Sequence, residues 1–300
     1  MRAFIGLIKT MRPKQWTKNL LFVFPAIVFD GKLFQLEPFL RVFIAFVLLC
    51  LISGTVYIIN DLVDIEADRK HPKKKFRPLP SGELPKSVAI AAAIIIPVAG
   101  IGFAFVFSLP LALILIAYLL MQIAYSFRLK HIVIVDVLTI MIGFLMRVGA
   151  GAVVFDVENF SPWLFAATGL LALFLAVGKR RGELIEMGEN ASSTRKILEH
   201  YNLPLIDDMM RIVVTSTLIT YVLYTIEVPV NTDPPPDPPY LGLLTVPFVM
   251  YGLFRYLYLI HVKGEGSAPD EVLLKDRPLQ MTLVLFGLTF ILILYILPSL

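Results

Sequence analysis

The residues best able to do chemistry in this sequence stand together where an apolar segment ends in carboxylates. Asn60, Asp61, Asp64 and Asp68 follow the spacing N-D-x-x-D-x-x-x-D. On a helix this spacing places the three aspartates on one face, where like charges repel each other unless a counter-charge is present. Hard oxygen ligands of this kind suit Mg²⁺, which prefers carboxylates together with substrate phosphates. The spacing therefore predicts that Asp61, Asp64 and Asp68 are metal ligands with a catalytic role.

The segment that follows carries the opposite charge. Its cations can neutralise phosphate oxygens that a metal leaves uncovered, and they are Arg69, Lys70, Lys73, Lys74, Lys75 and Arg77. Pro72, Pro78 and Pro80 prevent a continuous helix, so we predict an ordered loop over the helix end. A polybasic segment that only binds anionic lipid is the simpler alternative, but it leaves the acidic half unexplained. Together the two halves favour a Mg²⁺–diphosphate site at a membrane surface.

Further candidate residues lie in or beside other apolar segments. Lys14 and Lys18 flank Trp16, and they suit either phosphate binding or a simple interfacial anchor. Arg147 lies inside an apolar segment, where an arginine is costly and normally faces a bundle interior or a water-filled cavity. Asp136 precedes it by about three helical turns on the same face and is a second candidate catalytic carboxylate. The remaining candidates for substrate binding, which topology or surface ion pairing would also explain, are Tyr125, Lys130, Lys179, Arg180 and Glu183.

The elements that must position these residues are membrane helices. Of the 300 residues, 57% are hydrophobic and 17% are charged, whereas soluble domains average roughly 25% charged residues. Apolar runs of about 20 residues are long enough to cross a bilayer. We predict an all-α, polytopic membrane protein that forms one domain over residues 1–300. Its nine predicted spans are 20–30, 39–59, 87–107, 110–127, 132–154, 162–178, 209–228, 240–260 and 279–298.

The charge of the loops predicts the orientation. With the N-terminus in the cytoplasm, the loops after the second, fourth, sixth and eighth spans are cytoplasmic and carry nearly all the loop cations. The opposite loops, at 30–38, 108–109, 155–161 and 229–239, hold only Lys32 as a basic residue. We therefore predict a multi-pass plasma-membrane protein with a cytoplasmic site and no nucleic-acid partner. The single Cys50 gives neither a disulfide framework nor a cysteine metal site.

These motifs resemble a known family. The N-D-x-x-D-x-x-x-D pattern after the second of nine helices is similar to the UbiA superfamily of intramembrane prenyltransferases. That resemblance implies a helical bundle around a cavity open to the cytoplasm and to lipid. Members typically carry a second Asp-rich motif after the sixth span, but here that position reads "KRRGELIEMGE". The segments "RPKQWTKN", "NDLVDIEADRKHPKKKFRP", "YSFRLKH", "VGKRRGEL" and "LLKDRPLQ" together resemble the decaprenyl-phosphate phosphoribosyltransferase branch.

The resemblance to that branch implies a reaction and roles for the candidate residues. The 5-phosphoribosyl group of 5-phosphoribosyl-1-pyrophosphate would pass to a polyprenyl (decaprenyl) phosphate with release of pyrophosphate. This step leads towards decaprenylphosphoryl-arabinose and cell-wall arabinan. Asp61, Asp64 and Asp68 would hold Mg²⁺ on the leaving pyrophosphate, and Asn60 would orient it. The roles implied for other residues are phosphate binding by Lys73, Arg77, Lys130 and Arg147, a hydrogen bond from Tyr125, and stabilisation of an oxocarbenium-like transition state by Asp64 or Asp136.

Two other functions stay open at this point. A prenyltransferase that moves a prenyl group from a diphosphate to an aromatic or other acceptor fits the wider family, but not the missing second motif. A transporter would place ionisable groups near the membrane midplane, whereas charge here clusters at one face apart from Arg147. Association of the chain with further copies of itself is also compatible with the sequence.

Overall fold

The computed structural model describes residues 2–70, 72, 74–158, 161–189, 196–227, 240–264, 272 and 275–297. Within these ranges the chain is helical, and no described residue lies in a β-strand. The α-helices are α1 (Arg2–Thr10), α2 (Trp16–Val23), α3 (Pro25–Phe29), α4 (Leu36–Val63), α5 (Ile65–Lys70), α6 (Lys86–Phe107), α7 (Leu109–Phe127), α8 (Val135–Ala152), α9 (Pro162–Glu189), α10 (Leu203–Glu227), α11 (Val246–His261) and α12 (Arg277–Ile291). Short 3₁₀ turns precede α2, α8, α10 and α11, one lies between α5 and α6, and a π-helical turn, Leu292–Ile296, continues α12.

Eight helical segments in the described part of the chain are long and apolar enough to cross a membrane. They are formed by α4, α6, α7, α8, α9, α10, α11 with its preceding turn, and α12 with its π-helical turn. The prediction of an all-α polytopic membrane protein is therefore confirmed, and eight of the nine predicted spans coincide with these segments. The prediction of a single domain over residues 1–300 stays a prediction.

The first predicted span, 20–30, has a different form. It consists of two short helices: α2 ends at Val23 and α3 begins at Pro25, with Phe24 between them. Proline lacks the N–H that would continue the hydrogen-bond ladder, so it starts a new helix more readily than it extends one. The start of α2 at Trp16 agrees with a first helix that begins in the segment Lys14 to Lys18.

The contacts divide the chain into two compact units. The first comprises Met1–Arg128 and Met146–Glu158. Its two apolar cores are built mainly from α4, α6 and α7, with contributions from α1, α2 and the second half of α8. A close contact joins α2 to α8, since a Cβ placed on Gly151 would lie 1.9 Å from the backbone oxygen of Val23. At Gly149, on the same helix, a Cβ would lie at an ordinary 3.7 Å from the side chain of Ile114.

The second unit comprises Leu129–Leu145 and Asn159–Leu300. Its core includes Phe174 of α9, Met210 of α10 and Tyr256 of α11. An ion pair connects α11 to the start of α12, because Arg255 donates to both carboxylate oxygens of Asp276, at 3.2 and 2.8 Å. Asp276 also caps α12. The bonded guanidinium and, less strongly, the cap hydrogen bond hold the pKa of Asp276 below its usual range, although partial burial opposes them.

Candidate active site

The acidic segment forms the junction of α4 and α5. Asp61 lies in the last turn of α4 and is 2% exposed, and Asp68 lies in α5 and is equally buried. Asp64 lies at the break between the two helices, with φ −91° and ψ 5°, and its side chain is exposed. The prediction that all three carboxylates share one face of a single helix is therefore wrong. Because the helix is interrupted at Asp64, two carboxylates turn inward and one turns outward.

Arg77 bridges the two buried carboxylates. One of its guanidinium nitrogens, Nη1, donates to Asp61 Oδ1 at 3.2 Å and to Asp68 Oδ2 at 2.7 Å. Lys74 Nζ lies 3.8 Å from the other oxygen of Asp68. A buried carboxylate without a counter-charge is strongly unfavourable, so these cations permit the burial. Arg77, which the sequence predicts as a phosphate ligand, thus lies against two carboxylates in this structure.

Arg12 is a second partner of the acidic segment, and sequence reasoning did not assign it that role. Its Nη2 donates to Asp61 Oδ1 at 2.9 Å, and its guanidinium lies 4.6 Å from the centre of the Tyr57 ring. The backbone of Arg12 is left-handed, with φ 53°. A following proline, Pro13, disfavours the right-handed helical region for the preceding residue. Non-glycine residues with positive φ are uncommon and cluster at functional sites. In the sequence, the Arg-Pro pair after α1 was the available signal of an unusual backbone at Arg12.

The other residues predicted for this site are placed less directly. Asn60, Lys18 and Tyr125 are half-buried, and Lys14 is exposed in the turn before α2. In the described part of the chain, none of these four is bonded to Asp61 or Asp68. Lys73 lies outside the described residues.

The donor atoms of the acidic segment suit a hard divalent cation. Carboxylate oxygens are the protein ligands that Mg²⁺ prefers, and the Arg77 nitrogen between Asp61 and Asp68 shows that positive charge is favoured there. Asp64 is exposed and has no side-chain partner among the described residues. The three carboxylates are not gathered around one point, and no cluster of three or more metal-binding side chains is found within the described ranges. The residues fit the cation by chemistry, while the ligand geometry is not formed here.

A second polar cluster lies in the second unit, around Asp136 at the start of α8. Arg180 Nε donates to Asp136 Oδ2 at 2.7 Å, and the Tyr201 hydroxyl donates to Oδ1 at 2.8 Å. Arg180 also donates to Glu183 through Nη1. Asp136 is 0% exposed and both of its oxygens are occupied, so it contacts protein in this structure. The catalytic role of Asp136 stays a prediction, and in this structure its two oxygens bond to Arg180 and Tyr201.

Tyr201, which precedes α10 in the chain, is hydrogen-bonded to the N-terminal end of α8. Its hydroxyl accepts the backbone N–H of Ile134 at 2.7 Å while donating to Asp136. Ile134 has φ 69°, an unusual value for a β-branched residue. Burial raises the pKa of Tyr201 to about 12, and the bonded carboxylate adds to the shift. The hydroxyl therefore keeps its proton at neutral pH and remains a donor to Asp136.

The remaining residues predicted for substrate binding lie in the second half of α9 and in the turn before α8. Arg180 and Glu183 are bonded to each other, and the Arg180 side chain is buried. Lys179 is half-buried beside them. Lys130, which lies in the 3₁₀ turn before α8, is also half-buried. The ion pair thus joins Arg180 and Glu183, and the substrate-binding roles of Lys130, Lys179, Arg180 and Glu183 stay predictions.

Arg147 lies at the centre of a polar cluster inside the first unit. Its Nε donates to Asn19 Oδ1 at 2.8 Å, and its Nη2 donates to the Tyr118 hydroxyl at 2.6 Å. Asn19 is buried, and its amide donates to Ser53 Oγ at 3.2 Å and to Cys50 Sγ at 3.3 Å. Arg147 therefore faces the helical interior, as the cost of an intramembrane arginine predicts. Asn19 and Tyr118 were not predicted as its partners, although a polar Asn19 beside an apolar run was a usable signal.

Comparison with known proteins identifies relatives of the whole chain. The model of the UbiA prenyltransferase family matches residues 20–262. A protein of Corynebacterium glutamicum named decaprenyl-phosphate phosphoribosyltransferase is 32% identical, over 98% of this chain and 88% of its own length. A protein of the same name from Mycolicibacterium smegmatis is 33% identical, over 92% of this chain and 88% of its own length.

Solved structures support the same fold. A UbiA homologue from Archaeoglobus fulgidus, bound to GPP and Mg²⁺, superposes with a TM-score of 0.70 at 16% identity. The alignment covers 97% of this chain and all of that one. A digeranylgeranylglyceryl phosphate synthase superposes with a TM-score of 0.63, also at 16% identity, over the full length of both chains. At this identity the structures bear on the helical architecture alone.

Proposed function

Since this chain belongs to the UbiA prenyltransferase family, we propose that it is a membrane phosphoribosyltransferase. The 5-phosphoribosyl group of 5-phosphoribosyl-1-pyrophosphate passes to a polyprenyl phosphate, and pyrophosphate leaves. End-to-end similarity to two proteins named for this activity carries the choice of substrates. The paired acidic and basic halves of residues 60–77 support a diphosphate site at a membrane face. In a cell with arabinan in its wall, the product leads towards decaprenylphosphoryl-arabinose.

The acidic segment is the proposed site of the leaving group. Asp61, Asp64 and Asp68 would hold Mg²⁺, with Asn60 beside them. The metal would supply charge neutralisation on the departing pyrophosphate. Arg77 is suited to exchange its carboxylate partners for phosphate oxygens, because its planar fork matches both kinds of anion.

The chemical step joins two anions. A lipid phosphate oxygen attacks C1 of the ribose, and the bond from C1 to the pyrophosphate oxygen breaks. The attacking oxygen is already ionised at neutral pH, so no general base is required. The electron-poor C1 resembles that of other glycosyl transfers. Cations must offset repulsion between the substrates, and the candidates for this are Arg77, Arg147, Lys14, Lys18, Lys73, Lys130 and Lys179, with Tyr125 as a hydrogen-bond donor.

The segment "KRRGELIEMGE" lacks a second Asp-rich motif, which supports this donor over a prenyl diphosphate. Asp136 and Glu183 both bond to Arg180, and Asp136 also accepts from Tyr201. We assign Asp136, Arg180 and Glu183 to positioning Tyr201 and the start of α8. The wider family still favours prenyl transfer as the second candidate, so the assay must include both donors.

The protein is a multi-pass membrane protein, and the distribution of loop charges supports a cytoplasmic N-terminus and site. That orientation gives the site access to a soluble, highly charged donor. The lipid acceptor would reach the same site from within the membrane.

Purified protein supplied with Mg²⁺, ribose-labelled phosphoribosyl pyrophosphate and decaprenyl phosphate tests the proposal. Label is expected in the organic phase only when lipid phosphate and Mg²⁺ are both present. Asp64→Asn is expected to reduce the rate at least about 100-fold, the scale seen when an electrostatic group at a reacting centre is lost. Glu66→Gln is the matched control, since Glu66 is an exposed carboxylate in a surface pair with Arg69. Turnover of a prenyl diphosphate without label transfer would replace the proposal with the second candidate.

A further inference from the structure

Helix α1 has three distinct faces. Gly6 and Thr10 form the buried face, with Ala3 and Leu7 partly buried beside them. A second face carries the charges of Arg2 and Lys9. The third face is apolar and exposed, and its residues are Phe4 at 66%, Ile5 at 42% and Ile8 at 39% exposure.

The buried face docks α1 onto the loop that follows the acidic segment. A Cβ on Gly6 would lie 3.3 Å from the Cβ of Leu84, so the helix and the loop are in direct contact. Lys9 Nζ bonds to Glu83 Oε1 at 2.8 Å. These contacts fix which side of α1 faces the protein and leave the apolar side facing outward.

The end of α1 leads directly to the acidic segment. Met11, the next residue, is buried and packs against Gly54 of α4. Arg12 follows with its left-handed backbone and donates to Asp61. A rotation or displacement of α1 would therefore move the guanidinium that is bonded to Asp61.

We propose that α1 is an interfacial helix that lies in the headgroup region of an anionic leaflet. Phe4, Ile5 and Ile8 enter the acyl boundary, and Arg2 contacts phosphate headgroups. A short helix with an apolar face beside a cationic face is typical of segments that lie in the plane of a membrane. The membrane thereby holds α1 against its loop and Arg12 at Asp61.

Two observations favour lipid as the occupant of this face. The chain continues from α1 into α2, where Leu20 and Leu21 are 47% and 54% exposed, so the apolar surface leads on toward the membrane-spanning helices. Lys14, in the turn between α1 and α2, is also exposed. Arg2 precedes the apolar residues of α1 in the chain and Lys14 follows them, and cations around an apolar segment match an anionic headgroup layer with acyl chains behind it.

Spin labels measure the depth of the face directly in the full-length protein. Single cysteines replace Phe4, Ile8 and, as a matched control on the charged face, Lys9, in nanodiscs of phosphatidylglycerol and phosphatidylcholine. The native Cys50 is buried, and labelling of the unsubstituted protein measures its background. Nitroxides at 4 and 8 are expected to collide more often with oxygen than with a water-soluble nickel complex, because their side chains lie at the acyl boundary. The nitroxide at 9 is expected to show the reverse order.

Each other outcome overturns the inference. Equal nickel access at 4, 8 and 9 would place the apolar face in water. Immobilised labels at 4 and 8 with little access to either reagent would place it against protein, such as a second copy of the chain. Equal depth in pure phosphatidylcholine nanodiscs would remove anionic headgroups from the proposal. None of these measurements depends on the enzymatic activity, so failure of the proposed function would not alter them.

Discussion

Replacement of Arg77 by glutamine tests whether its bridge stabilises the acidic segment. The substitution removes hydrogen bonds to two buried carboxylates, Asp61 and Asp68. Hydrogen bonds to charged groups contribute about 1.5–3 kcal/mol each. The Arg77 side chain is 30% exposed, which favours the lower end of that range. Asp61 keeps Arg12, whereas the described residues leave Asp68 with Lys74 at 3.8 Å. The expected loss is therefore about 2–4 kcal/mol of unfolding free energy.

Denaturant titration in detergent micelles measures this loss, with and without Mg²⁺. In Arg77→Gln a divalent cation can offset the exposed carboxylate charge, so Mg²⁺ should stabilise the variant more than the unsubstituted protein. Arg69→Gln is the matched control, because Arg69 forms a surface pair with Glu66 that is worth at most about 1 kcal/mol. Equal destabilisation of Arg77→Gln and Arg69→Gln would show that the Arg77 bridge stabilises the protein no more than a surface ion pair does. If Mg²⁺ stabilised Arg77→Gln and the unsubstituted protein equally, the idea that Arg77 and a divalent cation bind the same carboxylates would be refuted.

Three further predictions concern contacts within each of the two units. Tyr201→Phe removes a hydrogen bond to the buried Asp136 and one from a backbone N–H, and should lower the unfolding free energy by about 2–4 kcal/mol. Gly151→Ala should lower it by about 3 kcal/mol or more through the clash with α2, whereas Gly149→Ala should stay within about 1 kcal/mol of the original protein. Asp276 should make stability depend on acid. Its folded pKa is lowered, so its contribution is present above the unfolded pKa of about 4 and is lost as pH falls through the folded value. Urea titrations over that pH range should show a weaker acid dependence in Asp276→Asn.

The three predictions fail in different ways. An unchanged stability in Tyr201→Phe would mean that the cluster around Asp136 is not a structural tie. Equal effects of the two alanine substitutions on α8 would mean that α2 does not approach it closely. An acid dependence that survives in Asp276→Asn would move its origin to other carboxylates.

Much of the fold follows from the sequence because membrane helices need long apolar runs, and such runs are easy to see. The exception is the first predicted span, where composition alone did not reveal that Pro25 divides the segment into α2 and α3. The sequence pattern of a long helix also does not reveal where the helix is locally interrupted. The spacing of Asp61, Asp64 and Asp68 predicted one continuous face, but α4 ends at Val63 and α5 begins at Ile65, with Asp64 between them.

The site was predictable in composition but not in pairing. Adjacent acidic and basic halves indicated a site for a metal and a diphosphate, but not that Arg77 bridges two of the carboxylates. The role of Arg12 depends on a left-handed backbone and a partner 49 residues away, and neither is encoded in local spacing. Asp136 was given a catalytic role because it stands on the face of Arg147. Only tertiary structure shows that Arg180 and Tyr201 occupy both of its oxygens.

The fate of each part of the donor tests the central claim most directly. Phosphoribosyl pyrophosphate is labelled separately in its ribose, its 5-phosphate and its pyrophosphate, and is incubated with the protein, Mg²⁺ and decaprenyl phosphate, with a prenyl diphosphate as a competing donor. We expect the ribose and 5-phosphate labels to enter the lipid phase together in equal amounts, while the pyrophosphate label stays in water. Pyrophosphate label in the lipid, or a lipid phase without ribose label while a prenyl diphosphate is consumed, would contradict it.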